Sequence, residues 1–138
     1  MRVAKAKQQI LAPWQGPYDG VPAFDKVSII GLMPAFEEAM ALNLAEIDVI
    51  ANNEAAAIFE NTIVALERTG KVLDRAYRYR GIWSSNISPP EFREIQAKLA
   101  PKLSAFYSKI NQNEKLFNRI SAIYNGSDMA TYEVINNV

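Results

Sequence analysis

The chain has 138 residues, 49% apolar and 22% charged, which is enough for one domain with a real core and far from a disordered composition. Fifteen basic side chains balance fifteen acidic ones, so there is no excess positive charge of the kind that holds nucleic acid or an anionic membrane surface. Cysteine and histidine are both absent, which removes a disulfide framework, a thiol nucleophile, the commonest metal ligand and the commonest general base.

Arg2, Lys5 and Lys7 open the chain, but the apolar run Ile10-Leu11-Ala12 is cut off by Pro13. That is too short for a signal-peptide core or a membrane span, and a cytoplasmic protein is expected. Residues 1–33 read as an extended arm. Pro13, Gly16, Pro17, Gly20 and Pro22 punctuate Trp14, Tyr18 and Phe24, a pattern that lays rings on a core rather than continuing a helix.

A first helix is predicted from Pro34, with Phe36, Met40, Leu44, Ile47 and Ala51 on one apolar face and Glu37 and Glu38 in its first turn. Asn52-Asn53 is its expected stop. A second helix is predicted through Phe59, Ile63, Leu66, Gly70, Leu73 and Tyr77, with Gly70 inside the stripe at a close helix approach and fraying between Trp83 and Asn86. Ser88-Pro89-Pro90-Glu91 reads as a capping box with proline in the first turn. The helix behind it presents Phe92, Ile95, Leu99, Leu103, Phe106 and Ile110, with a kink expected at Pro101.

Asn113 is the expected cap of a fourth, short helix whose Leu116, Phe117, Ile120 and Tyr124 face inward, and which ends at Asn125-Gly126. The last residues, 127–138, have weak periodicity and read as a loosely ordered tail. The predicted architecture is all-α: an up-and-down antiparallel bundle of three to four helices over 34–126, preceded by the Pro/Gly-rich arm.

Four groups of residues could carry chemistry. Phe59-Glu60-Asn61-Thr62 reads first as a helix start, with Asn61 or Thr62 capping and Phe59 as a hydrophobic staple, and only secondarily as a binding motif. Arg75, Tyr77, Arg78, Tyr79 and Arg80 form the one basic–aromatic cluster. Such a cluster can stack on single-stranded nucleic acid, but with Tyr77 turned to the core and zero net charge a solvated or partner-facing surface is preferred. The carboxylates Glu37, Glu38, Glu60 and Glu67 read as surface helix residues, and Trp14 and Trp83 as packing residues. No catalytic, cofactor-binding or metal-binding residue is expected.

Several stretches resemble the N-terminal region of the thimet-oligopeptidase family of zinc metallopeptidases, which includes oligopeptidase A and the bacterial peptidyl-dipeptidases. They begin with Leu11-Ala12-Pro13-Trp14-Gln15-Gly16-Pro17-Tyr18 and continue through Gly20-Val21-Pro22-Ala23-Phe24-Asp25-Lys26-Val27. Next come Pro34-Ala35-Phe36-Glu37-Glu38-Ala39-Met40 and Asn43-Leu44-Ala45-Glu46-Ile47. Most specific is Phe59-Glu60-Asn61-Thr62-Ile63, running on to Ala65-Leu66-Glu67-Arg68-Thr69-Gly70. Ala57 and Ile58 stand where the family has Pro and Thr, so the start of that helix is expected to be less rigidly fixed. Ala100-Pro101-Lys102-Leu103-Ser104 and Leu116-Phe117-Asn118-Arg119-Ile120 extend the match, which covers roughly residues 11 to 125 and is similar above all to the bacterial peptidyl-dipeptidase branch.

The resemblance implies a helical segment that walls a deep channel and restricts it to short, unstructured peptides. The family's His-Glu-x-x-His zinc helix has no counterpart in these residues, so the chain alone is expected to be a non-catalytic N-terminal domain or truncated copy, without zinc. Its expected partners are the catalytic domain or a second copy of the chain, and neither nucleic acid nor membrane. An independent, self-associating helical interaction module is the alternative.

Overall fold

A computed structural model describes residues 2–14, 28–86 and 89–125. Every regular element among them is helical: α1 (Arg2–Leu11), α2 (Leu32–Ala51), α3 (Ala65–Glu67), α4 (Lys71–Asn86), α5 (Pro90–Asn111) and α6 (Glu114–Tyr124). A 3₁₀ turn at Ile29–Gly31 leads into α2, and a π-helical segment at Glu60–Val64 leads into α3. The all-α reading holds. The chain forms two compact units, Met1–Asn43 with Gly70–Tyr107 and Leu44–Thr69 with Ser108–Val138, the boundaries falling partly within α2 and α5.

In the first unit the start of the expected arm is a helix instead. Residues 2–11 contain Ala, Lys, Gln, Arg and Leu without Gly or Pro, all good helix formers. Ala6, Ile10 and Leu11 are its buried residues, and Pro13 stops it a turn later. The period was short and the punctuation after it loud, which is why the helix was not legible. Most of the remaining arm, 15–27, lies outside the described residues, as does the tail from 126.

α1 sits close to the 3₁₀ turn. A Cβ on Gly31 would fall 2.4 Å from the backbone carbonyl carbon of Ala6, so only glycine allows this approach. The core of the unit is aromatic: Phe36 on α2, Tyr79 and Trp83 on α4, and Phe92 and Phe106 on α5 are buried with Ile10, Leu32 and Leu99. Phe36 meets Tyr77 edge to face at 5.1 Å, while Asn43 lies against Gly70, so α2 and α4 run antiparallel. Tyr77 bonds Tyr107, and Arg80 bonds Gln96, so α4 and α5 are antiparallel too. The expected up-and-down arrangement is met in this unit. Pro101 is accommodated inside one continuous α5.

The predicted second helix is divided. Gly70 takes φ 77°, a left-handed conformation that ends the α3 turn and lets α4 begin at Lys71. The side-chain oxygen of Asn43 lies 3.3 Å from where a Cβ at Gly70 would sit, so the glycine serves both a turn and a close approach. The buried face of α4 also differs. Leu73, Ala76, Tyr79 and Trp83 point inward, and Tyr77 is only half-buried. Starting the helix afresh at Lys71 resets which residues share a face.

In the second unit, Ile47, Ile50, Ala51 and Leu116 form an aliphatic cluster with Ala65, Leu66, Ile110 and Ile120 packed on it. Asn113 caps α6 as expected, its side chain accepting from the Leu116 amide at 3.0 Å. The inward face of α6 keeps Leu116 and Ile120 of the expected Leu116, Phe117, Ile120 and Tyr124, and adds Ile123 in place of Phe117 and Tyr124. Phe117 is 46% and Tyr124 61% exposed. Residues 116, 120 and 123 keep a tighter helical row, and one row suffices to cover the small cluster.

Candidate functional site

Phe59-Glu60-Asn61-Thr62 does not start a helix by capping. Phe59 stands at the head of the π-helical segment with no side-chain cap bond. Asn61 instead works backwards along the chain. Its oxygen accepts from the Ile58 amide at 2.9 Å and from the Thr62 hydroxyl at 2.8 Å, and its amide donates to the Ala56 carbonyl at 2.9 Å. Arg119 on α6 reaches the same place. It donates to the Asn53 carbonyl at 2.7 Å, the Ala55 carbonyl at 2.9 Å and the Asn61 side-chain oxygen at 3.1 Å. Together they pin the 52–58 connector to α6. The Asn61 bonds flank Ala57, holding the Ala56 carbonyl on one side and the Ile58 amide on the other.

The basic–aromatic cluster of α4 is taken apart by the fold. Tyr79 is 1% exposed and lies between Trp14, met edge to face, and Trp83, met at a tilt, each at 6.4 Å. Tyr77 is held between Phe36 and the Tyr107 hydroxyl, 2.9 Å away. Burial, then the Tyr107 bond, holds its phenol well above the ordinary tyrosine value of 10.0. The Arg75 Nε donates to the Leu11 carbonyl, and Arg80 donates to Gln96 while lying over the Tyr77 ring. No row of exposed rings is left on this helix for bases to stack on; Arg78 alone of the five is fully exposed.

The carboxylates are not brought together. Glu37 pairs with Lys102 at 3.1 Å and Glu38 with Lys7 at 3.7 Å. Glu60 reaches Arg68 at 4.0 Å with both side chains largely exposed, the kind of surface pair worth under about 1 kcal/mol. Glu67 is exposed. Among the described residues no three His, Cys, Asp or Glu side chains are grouped to hold a metal ion. Among the same residues no helix is long and apolar enough to cross a membrane.

The described residues also line open clefts, two of which bear on the candidates above. One, in the second unit at the α5–α6 turn, has a volume near 520 Å³ and is lined by Asn111, Gln112, Glu114, Phe117 and Asn118. The other, in the first unit, has a volume near 320 Å³ and is lined by Pro13, Trp14, Lys71, Asp74, Arg75 and Arg78. The sequence places Arg75 and Arg78 in one cluster and Trp14 apart from it. What joins them is the close approach of the segment after α1 to the first turns of α4, which no local pattern encodes.

No family model matches the chain. It is similar to the dipeptidyl carboxypeptidase of Salmonella typhimurium, 29% identical over 116 residues, and to that of Escherichia coli, 31% identical over 103 residues. These matches take in 84% and 75% of this chain but 16% and 15% of the two enzymes, so the chain spans about one sixth of their length. Both relatives carry the name that the sequence motifs pointed to. The chain is thus similar to two dipeptidyl carboxypeptidases over about one sixth of their length, a finding consistent with the thimet-oligopeptidase resemblance of its sequence.

Proposed function

We propose that these residues form part of the helical wall of a zinc-dependent peptidase that releases dipeptides from the C-terminus of short peptides, and that they contribute no catalytic group and no zinc ligand. The observation that carries this reading is a similarity over 84% of a chain that contains neither histidine nor cysteine. A wall excludes folded substrates and offers surface; the metal-activated water of a zinc peptidase needs ligands of the kind absent here. The protein works in the cytoplasm on this reading, with no nucleic acid or membrane as partner.

The test is to incubate the purified chain with an N-blocked tetrapeptide, with and without added zinc, and to measure released C-terminal dipeptide. No release is expected in either case. In parallel, the chain replaces the matching stretch of the Salmonella enzyme, and the chimera should retain dipeptide release. Chelator-sensitive turnover that scales with the 138-residue chain alone overturns the proposal.

A second reading, an independent module that self-associates, draws on Phe117 and Tyr124, which stand exposed on the outer side of α6. Sedimentation across a wide concentration range decides it: a dimer that Phe117→Ser abolishes supports this reading, and a monomer throughout removes it.

A further inference from the structure

We propose that the cleft between Trp14 and the first two turns of α4 binds a small oxyanion, a carboxylate or a phosphate group, whose attached body lies on the Trp14–Pro13 wall. Lys71, Asp74, Arg75 and Arg78 stand at positions i, i+3, i+4 and i+7 and so share one face of α4, all four lining the cleft. Three cations against one carboxylate make this a concentration of positive charge on a chain whose total is zero. Lys7, Lys102 and Arg68, by contrast, pair with acids of the chain. Lys71 and Arg78 make no ion pair among the described residues.

Arg75 is anchored by its Nε to the Leu11 carbonyl, which fixes the guanidinium at the cleft without neutralising it. A guanidinium matches the two oxygens of a carboxylate or phosphate, and the N-terminus of a sixteen-residue helix adds positive potential at the same place.

Independent support comes from Trp14. Its indole N–H is shielded from water and meets no acceptor, a state that buried donors rarely keep. Seating an oxyanion on this wall requires the ring to turn its N–H out to the cleft, where the donor gains the acceptor that the described residues do not give it. The volume near 320 Å³ stands at the lower end for small-ligand clefts and suits a group of modest size. This inference rests on the first unit alone and does not depend on the peptidase reading.

The experiment follows the two indole N–H resonances of the ¹⁵N-labelled chain, with Trp14 assigned by Trp14→Phe. The probes at low ionic strength are inorganic phosphate, an N-acetylated dipeptide with a free C-terminal carboxylate, and the C-terminal amide of the same dipeptide. The Trp14 resonance should move saturably with phosphate, with the free acid or with both, and not with the amide. A response to phosphate alone assigns the site to phosphate groups, and a response to the acid alone assigns it to carboxylates. Lys71→Ala and Arg78→Ala, both at exposed positions, should each weaken binding about tenfold, and Asp74→Asn should strengthen it by roughly threefold. Two results overturn the proposal: no saturable movement with either anion in the millimolar range, or movement that persists in the Lys71→Ala/Arg78→Ala double variant while circular dichroism shows the fold intact.

Discussion

The two units solve the same problem with different materials. The first buries large rings, Phe36, Tyr79, Trp83, Phe92 and Phe106, and brings α1 onto the Gly31 turn without a Cβ between them. The second has, among its described residues, a small aliphatic cluster, and it holds its long connector by hydrogen bonds that radiate from Arg119 and Asn61. Apolar burial yields roughly 25 cal/mol for each Å² removed from water, whereas a hydrogen bond nets only about 1 kcal/mol because water competes for both partners. The first unit should therefore be the stiffer, and the second should depend on a few polar residues for its geometry more than for its stability. A chain can be globular throughout and still place its rigidity unevenly.

The largest effect expected is from Phe36→Ala. The ring is fully buried and meets Tyr77, so its loss should cost about 4 kcal/mol in a denaturant titration. Gly31→Ala comes next. The new methyl would collide with the backbone of Ala6 and Lys7, and about 2–3 kcal/mol is expected, with faster amide exchange concentrated in α1. In the second unit, Arg119→Ala should cost about 1–2 kcal/mol, since its partners are largely solvent-exposed and can turn to water. A double-mutant cycle with Asn61→Ala should show coupling of about 1 kcal/mol. If Arg119→Ala costs as much as Phe36→Ala, the contrast between the units fails.

The smallest effect lies at high pH. The folded state holds the Tyr77 proton more tightly than the unfolded chain does, so this contribution is complete below about pH 10 and is lost as the pH rises above it. Stability should fall on the alkaline side of pH 10, and the fall should shrink in Tyr77→Phe, as read from melting temperatures between pH 8 and 11.

Much of this was legible from residue order. The six apolar residues of α5, Phe92 to Ile110, fall on the buried or half-buried face that their spacing predicted, because a long helix with one stripe has one way to bury it. The Asn113 cap was legible for the same local reason. The inward residues of α6 and α4 were misassigned where the helix is short or its start uncertain. A shift of one position turns a side chain by 100°, and only the partner surface selects among near-equivalent rows. Of the candidate site, Trp14, Arg75 and Arg78 were visible as residue types, but the cleft they share was not, since Trp14 is far from them in the chain.

By itself the sequence determined the helical class, the absence of histidine and cysteine chemistry in these residues, and the similarity to dipeptidyl carboxypeptidases. These follow from periodicity, composition and residue identity, which need no neighbours in space. Only the tertiary structure decided that the predicted second helix breaks at Gly70, that Arg119 holds the connector, and that three cations of α4 gather beside Trp14. Each of those depends on a contact between segments distant in the chain, and a contact of that kind leaves no periodic trace for local reasoning to find.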